Sequence, residues 1–277
     1  GVLYKKGFGY ANLETKEAYT ENTIQHIASV SKTLIGISLM KAVELGKLGL
    51  DDPLNDYLSF DVSNPYFPNE VITIRHLATH TSGINDSDQY MNRAWILIKD
   101  QDLTNVSTAY PDQQFNSPEK DIPMENYLKE YLSLDGAYYQ KENYINFKPG
   151  ERYNYSNIGA TLCALILEKA TGLSYDTFTQ EYILDRLQMN ASGWSLNSVD
   201  RSKHSNLYRN DNSLLPLYTA ITYPDGMLIS SSSDMAKYLV ELIKGYNGEG
   251  TLLSVESYQE LFREQLKEEN FDSRNAG

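Results

Sequence analysis

Ser29 and Lys32 are the residues of this sequence whose types and spacing best fit covalent catalysis. They are three positions apart at the start of an apolar helical pattern, so they share one helix face. A serine hydroxyl is a weak nucleophile until a base takes its proton. Lysine can be that base when burial or nearby positive charge disfavours its ammonium form. Taken alone, the pattern is more often a capping serine beside a surface lysine.

Tyr155 and Asn157 form a second candidate pair, just before another apolar stretch. A tyrosine hydroxyl close to a lysine ammonium ionises more easily and can act as a general base or acid. The amide of Asn157 can donate to a substrate carbonyl and contact the lysine. By itself, this pattern is more often a packed tyrosine followed by a helix cap.

The histidines and the cysteine do not predict a metal site. His76 and His80 are four residues apart, a spacing that can place two ligands on one helix face, but Leu77 occupies the position of the glutamate in a His-Glu-x-x-His motif. No third ligand is evident nearby. The single cysteine, Cys163, rules out an internal disulfide and is expected to be a buried small hydrophobe. We therefore predict no metal and no cofactor.

The composition is that of a globular protein with an acidic surface. The chain has 277 residues and a net charge of −13, which argues against nucleic acid as a partner. No run of 18 or more apolar residues predicts a membrane span. The first ten residues do not have the pattern of a signal peptide.

Helices dominate the middle of the chain, and strands are expected near the start and before Ser230. The first ten residues are predicted to be a strand that leads into a glycine-containing turn. Thr73 is a credible cap for a short helix. Apolar periodicity predicts the other helices over 29–45, 123–132, 157–170, 175–187, 233–245 and 254–266.

Several segments, taken in order, resemble the signature of the β-lactamase-related serine hydrolases. This family is similar to class C β-lactamases, D-alanyl-D-alanine carboxypeptidases, D-aminopeptidases and esterases of the same fold. The resemblance covers nearly the whole chain, and the order and spacing of its motifs make it specific. The segments are GFGYAN at 7–12, SVSK at 29–32, ITIRHLATHTSG at 72–83, FKPG at 147–150, YSN at 155–157 and YPDGMLIS at 223–230.

The resemblance implies an α+β fold of the β-lactamase/transpeptidase type, with an antiparallel sheet flanked by helices and a large inserted helical lobe. Residues 1–28 and 220–277 would form an incomplete α/β lobe, and residues 29–219 a mainly helical lobe that carries the catalytic motifs. The site would lie between the lobes. His80 would be part of a structural turn.

The resemblance also implies a role for each site residue. Ser29 would attack a carbonyl and become acylated, and Lys32 would support its deprotonation. Tyr155 would pass the proton to the leaving group, and Asn157 would hold the substrate amide. How the base work divides between Lys32 and Tyr155 stays open at this point.

Two functions follow as expectations. The first is a serine acyl-hydrolase for D-amino-acid peptides, small esters or amides, or β-lactams, in a bacterial periplasm or outside the cell. The second is a sensor or scaffold module that binds penicillin or peptidoglycan without turnover. The partner would be a small-molecule or peptide substrate, and the oligomeric state is open.

The family's third motif, Lys or His followed by Thr or Ser and then Gly, does not occur after Tyr155. The segment KATG at 169–172 resembles it superficially, but it is expected to end a helix, where glycine is an ordinary cap. We therefore expect an incomplete hydrolase, whose C-terminal strands are cut off, unresolved or supplied by another chain.

Overall fold

Two apolar helices form the centre of the fold in this computed structural model, which describes residues 4–110 and 113–271. Helix α1 spans Lys32–Glu44 and helix α5 spans Asn157–Thr171, and the two pack directly on each other. Residues 158–167 of α5 are all buried. A helix that is apolar on every side is expected to be surrounded by protein, and α5 lies accordingly inside the main core.

Other helices pack around this pair. The predicted helix over 175–187 is divided, because its α-helical turn continues as a π-helix over Gln180–Leu184. The remaining α-helices of the described residues are Ile74–Ala78 (α2), Asp88–Arg93 (α3), Met124–Leu132 (α4), Tyr175–Thr179 (α6), Ser232–Tyr246 (α7) and Val255–Phe262 (α8).

The strands of the described residues are two or three residues long and pair two by two, each pair antiparallel. The α+β class and the antiparallel pairing are thus confirmed, with separate pairs in place of one broad sheet. The predicted strand over the first ten residues is wrong for residues 4–9, and residues 1–3 lie outside the described part. The pairs are β1 (Tyr10–Asn12) with β2 (Glu17–Ala18), β3 (Ile24–His26) with β8 (Ile229–Ser231), β4 (Trp95–Leu97) with β7 (Tyr218–Ala220), and β5 (Ala109–Tyr110) with β6 (Gln113–Gln114).

Three short connections bring the candidate residues together. A 3-10 turn over Ala28–Ser31 joins β3 to α1, and Tyr155 lies two residues before α5. A second 3-10 turn, Tyr223–Asp225, precedes β8 and packs against both α5 and the first turn. The site therefore lies where the starts of α1 and α5 meet the segment that leads into β8.

Two helix ends lie where the sequence predicted them. The Thr73 hydroxyl accepts from the backbone of His76, as the predicted cap requires. Gly172 adopts a left-handed φ of 77° after α5, so the KATG segment does end a helix. Within the part of the chain that the structure describes, no helix combines the length and the apolar character needed to cross a bilayer.

Candidate active site

The Ser29 hydroxyl is exposed and receives two hydrogen bonds from the other predicted catalytic residues. Tyr155 Oη donates to Ser29 Oγ at 2.7 Å, and Lys32 Nζ donates to the same oxygen at 3.2 Å. The structure thus brings the predicted trio together around one oxygen atom, although Tyr155 is 126 residues from Ser29 in the chain.

Lys32 connects the other two members of the trio. Its ammonium lies 5.0 Å from the centre of the Tyr155 ring, within the range of a cation–π interaction. Lys32 Nζ also donates to the main-chain carbonyl oxygen of Asp225 at 2.5 Å. Three groups thus fix the position of this ammonium beside both hydroxyls of the site.

Ala28, the residue before Ser29, has a left-handed backbone with a φ of 49°. Residues with a Cβ adopt this conformation rarely, and it costs of the order of 1 kcal/mol or more. Such strain occurs in proteins where a functional residue is held in place by its surroundings. The conformation of Ala28 is a second feature, besides the hydrogen bonds, of the turn that carries Ser29.

Asn157 faces a carboxylate in this structure. Its side-chain amide nitrogen donates to Asp86 Oδ2 at 2.8 Å, and its backbone N–H donates to the same oxygen at 2.8 Å. The predicted substrate contact of Asn157 stays a prediction, and its amide nitrogen already has a protein partner.

Asp86 is a site residue that the sequence reasoning missed. Besides Asn157, its carboxylate accepts from Ser156 Oγ at 3.0 Å and from the backbone N–H of Ile158 at 3.0 Å. The first N–H groups of a helix lack partners inside it and favour a negative charge. Asp86 thereby fixes the start of α5 and, through it, Tyr155. No local pattern reveals this role, because the partners are about 70 residues away along the chain.

His80 packs beside Tyr155. The centres of the two rings are 4.7 Å apart, and His80 Nδ1 accepts from the backbone N–H of Ser156 at 3.2 Å. Burial, assisted by the charge of Lys32, lowers the pKa of His80 to about 4. The imidazole is therefore neutral at pH 7 and acts as an acceptor. This agrees with the structural turn expected for this segment.

The other histidine of the pair is part of a helix cap. His76 Nδ1 accepts from the backbone N–H of Thr73 at 3.2 Å, so this nitrogen has a protein partner. Among the residues that the structure describes, no three His, Cys, Asp or Glu side chains are grouped as a metal site. Cys163 is buried, and burial raises the pKa of its thiol to about 12.

The fold and the site together define a protein of the serine β-lactamase and penicillin-binding-protein type. The sequence profile of the family described as Beta-lactamase matches residues 1–277. The chain belongs to this family.

Individual relatives agree with this assignment. A penicillin-binding protein of Bacillus subtilis strain 168 is 27% identical over 278 residues, covering 99% of this chain and 51% of its own length. The mitochondrial serine β-lactamase-like protein LACTB of Homo sapiens is 28% identical over 66% of this chain and 40% of its own length. The structure of an octameric penicillin-binding protein homologue from Pyrococcus abyssi matches with a TM-score of 0.71 and 28% identity, covering 96% of this chain and 55% of that one. The chain thus spans about half the length of these relatives or less.

Proposed function

We propose that this chain is a serine acyl-hydrolase that forms an acyl-enzyme on Ser29. The observation that carries the proposal is the convergence of Tyr155 Oη and Lys32 Nζ on Ser29 Oγ, at 2.7 and 3.2 Å. A nucleophile within hydrogen-bond reach of a group that can take its proton is the arrangement that covalent catalysis requires.

The proposed reaction has two halves. Ser29 Oγ attacks the substrate carbonyl carbon while its proton moves to the Tyr155–Lys32 pair. The same pair then gives a proton to the leaving group as the bond to that group breaks, and an ester of Ser29 remains. In the second half a water attacks the ester carbonyl, which releases the acid and restores the serine hydroxyl.

The proposed substrates are D-amino-acid peptides, small esters or amides, and β-lactams. The exposure of Ser29 and Tyr155 supports this choice, because the reacting hydroxyls can be reached from solvent. The names of two relatives, a penicillin-binding protein and a serine β-lactamase-like protein, support the inclusion of β-lactams. A periplasmic or extracellular location is part of the proposal, and cell fractionation tests it.

Covalent labelling tests the nucleophile. The wild-type chain is incubated with a fluorescent penicillin and with a fluorophosphonate, and the modified peptide is identified by mass spectrometry. We expect the label on Ser29 and none on the Ser29→Ala variant, because Ser29 Oγ is the oxygen to which Tyr155 and Lys32 donate. Ser31→Ala is the matched control: Ser31 is buried and its Oγ accepts from the backbone N–H of Leu228, so labelling should persist. A label that persists in Ser29→Ala contradicts the proposal.

Turnover separates the hydrolase from the alternative sensor or scaffold. With excess of a chromogenic ester, a hydrolase releases product continuously, whereas a module that acylates once releases a single stoichiometric burst. We expect continuous release. A burst without further product would favour the binding module.

A further inference from the structure

The chain returns to the candidate site after α8. A 3-10 turn over Glu268–Asn270 lies against residues 150–153, which lead into Tyr155. The hydrogen bonds between the two segments join residues up to 120 positions apart in the sequence. The segment that carries Tyr155 thus has a partner that no local sequence pattern indicates.

Asn270 makes the hydrogen bonds of this contact. Its side-chain amide nitrogen donates to the main-chain oxygen of Gly150 at 3.1 Å and to that of Glu151 at 3.0 Å. The main-chain oxygen of Asn270 accepts from the backbone N–H of Tyr153 at 2.8 Å. Its side-chain oxygen accepts from the backbone N–H of Lys267 at 2.8 Å, which fixes the side chain within its own turn. One residue therefore ties the start of the Tyr155 segment to the turn after α8.

A series of ring contacts continues from this turn to Tyr155. The ring centres of Phe271 and Tyr153 are 5.5 Å apart, and those of Tyr153 and His80 are 5.9 Å apart. The rings of His80 and Tyr155 follow at 4.7 Å. Ring pairs at these separations attract each other beyond the effect of burial. The position of the Tyr155 ring therefore depends on packing that begins at Phe271.

The main chain on both sides of Tyr155 is also held by His80. The backbone N–H of Asn154 donates to the main-chain oxygen of His80 at 2.7 Å, and that of Ser156 donates to His80 Nδ1 at 3.2 Å. Residues 150–156 thus have two separate sets of partners, one at His80 and one at Asn270. The hydroxyl of Tyr155 is placed by both.

We propose that Asn270 is a positioning residue for Tyr155. By tying residues 150–153 to the turn after α8, it keeps Tyr155 Oη at hydrogen-bond distance from Ser29 Oγ. Asn270 acts through the segment that carries Tyr155 and not on the reacting atoms. The inference rests on the proposed function of this site and extends it, because it adds a distant residue to those that determine the acylation rate.

The expected effect is a slower reaction with little change in substrate binding. Asn270→Ala removes the two bonds that the side chain donates, and misplacement of a catalytic group by about 1 Å can cost about 10²-fold in rate. We expect the maximal acylation rate, measured by stopped flow with a chromogenic ester, to fall about 10- to 100-fold. The ester concentration at half-maximal rate should stay nearly the same. An unchanged maximal rate overturns the inference.

A double-variant cycle distinguishes positioning of Tyr155 from a general loss of stability. The acylation rate is measured for Asn270→Ala in the wild-type and in the Tyr155→Phe background. If Asn270 acts through the Tyr155 hydroxyl, its substitution should cost much less once that hydroxyl is absent. Equal penalties in the two backgrounds overturn the inference.

NMR follows Tyr155 without any substrate. In protein labelled with tyrosine carrying ¹³C at Cζ, the Tyr155 resonance is assigned by its loss in Tyr155→Phe. We expect this resonance to move in Asn270→Ala towards its position in the unfolded chain, because the bond from Tyr155 Oη to Ser29 Oγ is formed less often. A resonance that does not move overturns the inference.

The matched control is Asn247→Ala. Asn247 is exposed at the end of α7, and its side-chain nitrogen donates to the main-chain oxygen of Ile243 at 2.9 Å. The control removes the same kind of hydrogen bond and should change neither the Tyr155 resonance nor the acylation rate. Equal changes in the two variants overturn the assignment to Asn270.

A second variant covers the case in which Asn270→Ala does not fold. Asn270→Asp keeps the size of the side chain and an acceptor for Lys267 but loses the donor to Gly150 and Glu151, so the same outcomes are expected of it. Absence of acylation in the wild type defeats the proposed function alone, since the Tyr155 resonance still decides whether Asn270 positions Tyr155.

Discussion

Helices α1 and α5 both begin at the candidate site, but their first turns are stabilised differently. At α5, Ser156 Oγ accepts from the backbone of Gly159, and the carboxylate of Asp86 accepts from two further backbone N–H groups. At α1, neither the helix nor the 3-10 turn before it has a side-chain cap, and Ala28 is in a left-handed conformation.

The difference separates the helix start that holds Tyr155 in place from the one that carries the proposed nucleophile. The start of α5 has its polar groups satisfied by protein, which makes it a rigid platform for Tyr155. The start of α1 presents the exposed Ser29 on a turn with stored strain. The nucleophile thus belongs to the less stabilised of the two helix starts, where an incoming group meets fewer competing side chains.

The largest expected effect is on the chemistry itself. Tyr155→Phe and Lys32→Ala should each lower the acylation rate about 10² to 10⁴-fold, the usual range for positioned acid–base groups. The double variant should lose less than the product of the two, because the groups act as a unit. Stopped-flow acylation measures this, with Tyr246→Phe, exposed on α7, as the control. Near-wild-type acylation by Tyr155→Phe would remove the phenol from the mechanism.

The variant Asp86→Asn tests whether the Asp86 carboxylate stabilises the start of α5. The variant replaces a charged acceptor of several hydrogen bonds, so the free energy of unfolding should fall by about 2–3 kcal/mol. Denaturant unfolding measures it. Asp88→Asn changes an exposed aspartate two residues away and should shift the same quantity by less than about 0.5 kcal/mol. Equal stability of the Asp86 variant and the wild type would show that the α5 start does not depend on this carboxylate.

The smallest expected effect concerns the strained turn. Ala28→Gly removes the Cβ from a left-handed residue and should raise the free energy of unfolding by up to about 1 kcal/mol. The same change at Ala236, exposed within α7, should lower it by about 1 kcal/mol, because glycine disfavours a helix interior. Thermal unfolding compares the two. Effects of the same sign would mean that Ala28 stores no strain.

The parts of the site that could be predicted are those with a local signature. Ser29 and Lys32 are three residues apart at the start of an apolar helical pattern, and Tyr155 stands before another one; the family resemblance linked these segments. Asp86 and the side chain of Asp225, which accepts from Tyr90 and Thr161, have no such signature. The partners of Asp86 lie about 70 residues away, and those of the Asp225 carboxylate 64 and 135 residues away. Isolated acidic residues in a chain of net charge −13 give no signal of burial.

The fold shows the same division. Long apolar periodicity predicted α1 and α5 to within a few residues, because the apolar residues that bury each helix recur along its own sequence. The π-helix over Gln180–Leu184 and the short strand pairs depend on tertiary packing, which periodicity does not record. The predicted lobe boundaries at residues 28 and 220, and the predicted missing strands, stay predictions.

The sequence distances across the site have a consequence for the order of folding. The bonds from Ser29 to Tyr155 and from Lys32 to Asp225 span 126 and 193 residues. Contacts that close such long loops carry a large entropic cost and are expected to form late, after local helices and their first packing. Recovery of Ser29 labelling during refolding should therefore lag behind recovery of helical circular dichroism, which makes the nucleophile a reporter of the last folding steps.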